Sequence, residues 1–171
     1  MLSKKMQDAL NAQINAEYYS SYLYLSMAAY CEGTNLKGFG HWMRMQQQEE
    51  MIHVTKFFNY VLDRRGKVEL TAIEGPPTSW KSPLDMFEDT LKHEQHVTGL
   101  INHLADLAIS EKDHATHGLL EWFLNEQVEE ESVADQIVSE LKLLKGSSDG
   151  LYMLDKELAS RVPAAPAADA P

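Results

Sequence analysis

Apolar residues recur at three- and four-residue intervals along four long stretches of the chain, and Gly and Pro are nearly absent inside those stretches. The first predicted helix runs from about Ser3 to Cys31 and breaks at Glu32-Gly33-Thr34-Asn35. The second runs from about Leu36 to Arg64 and stops at Arg65-Gly66. The third opens at Ser82-Pro83, an N-cap residue followed by Pro at the first helical position, and ends near Ser110. The fourth begins near Asp113 and ends at Lys145-Gly146, with a Lys in the last turn and Gly just beyond. A shorter fifth segment covers about Ser148 to Arg161, with Leu151, Leu154 and Leu158 on one side. Residues Pro163 to Pro171 are Ala/Pro-rich and have little to bury, so the pattern predicts one folded domain over 1–162 and a disordered tail over 163–171.

Loop lengths set the topology. Short connections after the first and third helices make antiparallel neighbours. The second and third are separated by Arg65 to Lys81, 17 residues that include Gly75-Pro76-Pro77. A helix of this size is roughly 42 Å long, and an extended segment of that length can span roughly 56 Å. The connection can therefore run the length of a bundle and set the third helix parallel to the second. The expected fold is all-α: a four-helix bundle with one long crossover and a short fifth C-terminal helix. A globin-like packing would need shorter and more numerous helices.

Composition narrows the function. Apolar residues make up 44% and charged residues 24% of the 171, which is ordinary for a soluble globular domain. Fifteen Lys+Arg against 26 Asp+Glu leave a net charge of −11, the wrong sign for a nucleic-acid partner and the right one for attracting cations. The single cysteine, Cys31, excludes a disulfide framework and a thiolate zinc site. No secretory leader is expected at the N-terminus, and the most apolar stretch, Tyr22 to Cys31, is too short for a membrane helix. A cytoplasmic protein with neither a membrane nor a nucleic-acid partner is expected.

The chemistry lies in four acids aimed at the core. At about 100° per residue, Glu17 falls on the stripe of Met6, Leu10, Tyr24 and Ala28. Glu50 falls with Met43, Val54, Phe57 and Val61, and Glu94 with Phe87, Leu91, Ile101 and Ala105. Glu130 falls with Leu119, Phe123, Ala134, Ile137 and Leu141. Each acid is near the middle of its helix, so an aligned bundle brings all four to one level. Burying unpaired carboxylates costs several kcal/mol per ion, and these stripes carry no Lys or Arg. His53 joins them one turn after Glu50, in an E-x-x-H spacing that lets two side chains serve one ion or adjacent ions. Gln127, three residues before Glu130, adds a carbonyl oxygen. Oxygen-rich ligands with one imidazole suit two iron or manganese ions bridged by carboxylate. Di-iron carboxylate bundles are the standard example of such chemistry, and their symmetric form has a second E-x-x-H. Here that position reads Gln127-Val128-Glu129-Glu130, so a less firmly held second ion is expected.

Several segments together carry a resemblance to a known family. They are Asn15-Ala16-Glu17-Tyr18-Tyr19, Leu36-Lys37-Gly38-Phe39, Gln48-Glu49-Glu50-Met51-Ile52-His53, Gly75-Pro76-Pro77, Lys92-His93-Glu94 and the run Trp122 to Glu130. Over about residues 3 to 161 the chain resembles the non-haem prokaryotic ferritins. That resemblance implies a cage of about 24 subunits that oxidises Fe(II), with oxygen or hydrogen peroxide as acceptor, and stores ferric mineral. It implies a first iron on Glu17, Glu50 and His53, and a second on Glu50, Glu94 and Glu130 with Gln127 close by. It also implies a third, more exposed iron on Glu49, Glu126, Glu129 and Glu130. Tyr24 corresponds to a family Tyr beside the di-iron centre, and with Glu50 and Glu130 it makes up the implied catalytic set. Trp122 takes the place of a family Trp near the same centre, and the fifth helix resembles one that lines a four-fold axis.

Other residues read as less telling. His41, His93, His96, His103, His114 and His117 fall off the core stripes and are expected mostly at the surface. His117 and Glu121 stand one turn apart in a region that resembles the family's three-fold channel. Met51 takes the place of a haem-binding Met in related haem ferritins, but non-haem members carry it too, and no haem is expected. A haem bacterioferritin, a rubrerythrin-like di-iron peroxidase and a structural bundle without metal are the alternatives; the peroxidase would need a Cys-rich module that one cysteine cannot supply, and the structural bundle predicts no iron-dependent oxidation.

Overall fold

A computed structural model describes residues 1–163, so the tail expected over 163–171 lies, from 164 onward, outside the described residues. Five helices follow in order: α1 (Lys4–Gly33), α2 (Lys37–Asp63), α3 (Pro83–Glu111), α4 (His114–Leu144) and α5 (Ser148–Leu158). Their starts obey capping chemistry. Ser3 Oγ accepts from Met6 N at 3.0 Å, Ser82 Oγ from Asp85 N at 3.1 Å, and Asp113 Oδ1 from Thr116 N at 3.1 Å. Their ends use left-handed backbone at residues other than glycine: Asn35, Arg65, Lys112 and Lys145 all have positive φ. Lys145 itself, ahead of Gly146, is thus the C-cap of α4.

The fifth helix is shorter than its pattern predicts. It stops at Leu158, and Arg161 N donates to Leu158 O at 3.3 Å in an i→i−3 turn. That tight turn swings Arg161 back toward α2.

The long connection runs beside α1. Gln7 Oε1 accepts from Lys67 N at 2.8 Å, Asn11 Oδ1 accepts from Glu69 N at 2.9 Å, and Asn15 Nδ2 donates to Thr71 Oγ1 at 2.8 Å. Ser26 Oγ donates to Pro77 O at 2.5 Å further along. Residues 7, 11 and 15 are one helical turn apart, so they form a polar rail that satisfies an extended backbone without a sheet. Advancing 67 to 77 beside 7 to 26 carries the chain to the far end of α1, which sets α3 parallel to α2 as the loop length allows. Trp80 closes the crossover, edge-on to Tyr30 at 5.4 Å between ring centres, with Nε1 donating to Asp89 at 2.9 Å.

The core is two apolar plugs with a polar belt between them. One plug holds Met27, Phe39, Trp42, Phe87, Ile137 and Leu154. The other holds Leu10, Ile14, Phe57, Ile101, Leu120 and Phe123. Along every long helix the sequence passes from one plug to the other through Glu17, Glu50, Glu94 or Glu130. Leu91 and Leu119, expected on core stripes, are half-buried and pack against the edges of the plugs.

Candidate metal centre

All four helices deliver their acid to the belt: Glu17, Glu50 and Glu94 are at most 2% exposed, and Glu130 is 8% exposed. His53 is buried with them. Its Nδ1 lies 3.3 Å from Glu50 Oε2 and 3.6 Å from Glu17 Oε2. The ring is fixed from behind by Trp122 and Phe123, edge-on at 5.4 and 5.6 Å, so Nδ1 faces the carboxylates. Among the described residues, Glu17, Glu50 and His53 are the only group of three or more His, Cys, Asp or Glu whose ligand atoms all fall within 4.8 Å of one another.

The other half of the belt is held by neutral partners. Tyr24 OH donates to Glu94 Oε1, and Gln127 Nε2 donates to Glu94 Oε2 at 3.3 Å. Gln46 Nε2 donates to Glu130 Oε2 at 2.7 Å; in the first half, Gln13 Nε2 donates to Glu17 Oε1 at 2.7 Å. Gln13 and Gln46 were not singled out from the sequence. Gln13 could have been found one turn ahead of Glu17 on the same face, where a helix neighbour can orient it, whereas Gln46 reaches across to Glu130 on α4, a partner that only helix packing supplies.

The belt is divided electrostatically. Burial drives the Glu50 carboxyl well above its usual range, with the charges of Glu94 and Glu17 adding to it against the pull of His53. Burial also raises Glu94 to about 7 and Glu130 to about 8. Burial pushes Glu17 the same way, yet the His53 contact and the Gln13 hydrogen bond outweigh it, and its carboxyl lies below the usual range. Burial opposes a charge on His53, but Glu50 and Glu17 hold its pKa well above the ordinary imidazole value. The charged forms of Glu17 and His53 thus support each other, while burial disfavours charge on Glu94 and Glu130. Glu17 Oε2 has no hydrogen-bond partner among the described residues. An orphaned buried carboxylate oxygen facing another carboxylate and an imidazole fits a hard divalent cation with some affinity for nitrogen.

The residues expected at a third position are not drawn into one cluster. Glu49 is buried and bound by Arg161, Glu126 is half-buried, and Glu129 is exposed. The surface expectation holds for His96, His103 and His114, whereas His41, His93 and His117 are half-buried. His93 departs furthest from it. Its Nε2 is 2.8 Å from Ser20 Oγ, its ring stands edge-on to Tyr24 at 5.9 Å, and burial lowers its pKa to about 4. It lies one residue off the Glu94 stripe, and α1 closes over that flank. His117 Nδ1 lies 3.7 Å from Glu121 Oε1. Met51 packs at the edge of the Phe57 plug.

A crossover four-helix bundle with carboxylates and one imidazole converging between its helices defines the class of bundle proteins that bind metals internally. The ferritin-like domain profile matches residues 7–144. A bacterial non-heme ferritin of Bacteroides fragilis is 44% identical over 161 residues, covering 94% of this chain and 100% of the relative. One from Staphylococcus aureus is 40% identical, covering 94% and 97%. A crystal structure of an open-pore ferritin from the archaeon Archaeoglobus fulgidus superposes with a TM-score of 0.94 at 51% identity, covering 95% of this chain and 100% of that one. The chain belongs to the ferritin family. No helix among the described residues is long and apolar enough to cross a membrane.

Proposed function

We propose that the chain stores iron and that its buried belt is the ferroxidase centre, with Fe(II) as substrate and dioxygen or hydrogen peroxide as electron acceptor. The observation that carries this reading is the convergence of Glu17, Glu50 and His53 within 4.8 Å, at the level where Glu94 and Glu130 also enter. One Fe(II) is held by Glu17, Glu50 and His53, and a second by Glu50, Glu94 and Glu130 with Gln127 alongside. Glu50 lies between the two and bridges them.

Two Fe(II) give one electron each. Dioxygen takes both with two protons and leaves as hydrogen peroxide; hydrogen peroxide takes both with two protons and leaves as two waters. The chain's part is positioning. Trp122 and Phe123 fix the imidazole, the two apolar plugs exclude bulk water, and Tyr24, Gln46 and Gln127 orient Glu94 and Glu130. Protons displaced from Glu94 and Glu130 by incoming iron are released where the acceptor consumes them. A third iron position on Glu49, Glu126, Glu129 and Glu130 is weaker, since Glu49 is already engaged. The oxidised product moves into the cavity of a homo-oligomer of about 24 chains, in the cytoplasm.

His53→Ala tests the reading. Rapid oxidation of added Fe(II), followed by absorbance after mixing with air-saturated buffer, is expected to slow sharply while light scattering reports an intact assembly. Unchanged fast oxidation would place the chemistry elsewhere.

A further inference from the structure

We propose that Arg161 is a built-in counter-ion at the edge of the belt: its guanidinium takes the place that a third divalent cation would occupy on Glu49, so such a cation binds only by displacing the turn that carries Arg161. The inference rests on reading the belt as an iron centre.

Arg161 leaves the turn after α5 and is held by three residues of α2. Its Nη2 donates to Glu49 Oε2, its guanidinium lies 4.3 Å from the centre of the Trp42 ring, and its carbonyl oxygen is 2.8 Å from His41 Nε2. The ion pair is largely out of water, with side chains 20% and 12% exposed, so salt screens it less than a surface pair. Glu49 adjoins Glu50 in sequence, and its charge is felt by Glu130 on the facing helix. A cation on Glu49 is therefore a cation beside the belt, and Arg161 supplies one covalently.

The contact is also poised to give way. Arg161 Nη1 is buried without a hydrogen-bond partner among the described residues, a cost that release to water would recover. Only the short turn 159–161 would have to move, because α5 itself is anchored separately through Asp155. In a chain of net charge −11 that draws cations inward, a tethered guanidinium keeps Glu49 from becoming a standing site and leaves two favoured positions per chain.

The test is anaerobic calorimetric titration of the assembled protein with Zn(II), a redox-inert probe, on wild type, Arg161→Gln and Arg161→Lys. Arg161→Gln should tighten the weakest class of sites at least about threefold and leave the two tighter classes unchanged, with Arg161→Lys near wild type. Adding Glu49→Gln to Arg161→Gln should abolish the gain. A weakest class that is unaltered in Arg161→Gln, or a gain that survives Glu49→Gln, overturns the proposal. Loss of the two tighter classes in wild type would instead sink the iron-centre reading. If Arg161→Gln fails to assemble, wild type still decides the matter: saturating Zn(II) should speed amide hydrogen exchange over residues 159–162, and unchanged or slower exchange there refutes displacement.

Discussion

Asp155 of α5 caps α2 across the bundle: its Oδ1 accepts from the backbone N–H of Gly38 at 2.7 Å and of Phe39 at 3.1 Å. The residue in the N-cap position of α2, Leu36, offers no side-chain acceptor, so a carboxylate 117 positions away does the work of a local Ser or Asp. The approach is close enough that a Cβ on Gly38 would lie 1.6 Å from Asp155 O. Gly38→Ala must therefore push α5 away, whereas Asp155→Ala removes only the cap. Thermal melts should show both destabilised, Asp155→Ala by about 1–2 kcal/mol and Gly38→Ala by more. A Gly38→Ala protein as stable as wild type would mean that α5 docks elsewhere.

The two halves of the belt should bind metal unequally. Glu17, Glu50 and His53 are already assembled, while Glu94 and Glu130 must exchange hydrogen bonds from Tyr24, Gln127 and Gln46 for the ion. Anaerobic Fe(II) titration should resolve one tighter and one looser core position. Gln127→His, which restores a second imidazole, should narrow the gap. Equal affinities in the unaltered chain would remove the role given to Gln127.

Iron loading should release protons. With Glu94 at about 7 and Glu130 at about 8, both carry a proton through much of the neutral range, and the neighbouring Glu50 and Glu17 raise the proton affinity of His53. Metal binding displaces these protons, so affinity must rise with pH. Titrations in buffers of different ionisation enthalpy should report net release near pH 6.5 and less near pH 8.5, with the looser position strengthening over that interval. Binding with no proton release across the range would contradict the protonated belt.

The same shifts fix the sign of the stability change without metal. A carboxyl whose folded pKa is raised binds protons in the folded state that the unfolded chain has already lost. Glu94 and Glu130 therefore make the metal-free protein less stable as pH rises from about 4.5 toward 7 and 8 respectively. Glu17, lowered by His53, acts the opposite way at acid pH. Glu94→Gln keeps an acceptor for Tyr24 and removes the charge. It should leave metal-free stability equal or higher at pH 8 and reduce the stabilisation by Zn(II), both read from melts. Strong destabilisation of the metal-free variant with the Zn(II) gain intact would make Glu94 a structural residue.

The periodicity of the chain was enough to determine four long helices, their antiparallel and crossover connections, and the level at which Glu17, Glu50, His53, Glu94 and Glu130 meet. Those properties follow from local geometry: a side chain's face is set by its spacing along its own helix, and its height by its distance from the ends. The rest depended on which helices lie side by side. The capping of Gly38 by Asp155, the rail of Gln7, Asn11 and Asn15 under the crossover, and the burial of His93 behind Ser20 all join residues far apart in sequence. So does the grip of Arg161 on Glu49, which begins where α5 ends one turn earlier than its pattern implies. A polar side chain's partner is chosen by the surface that packs against it, and only the folded chain supplies that surface.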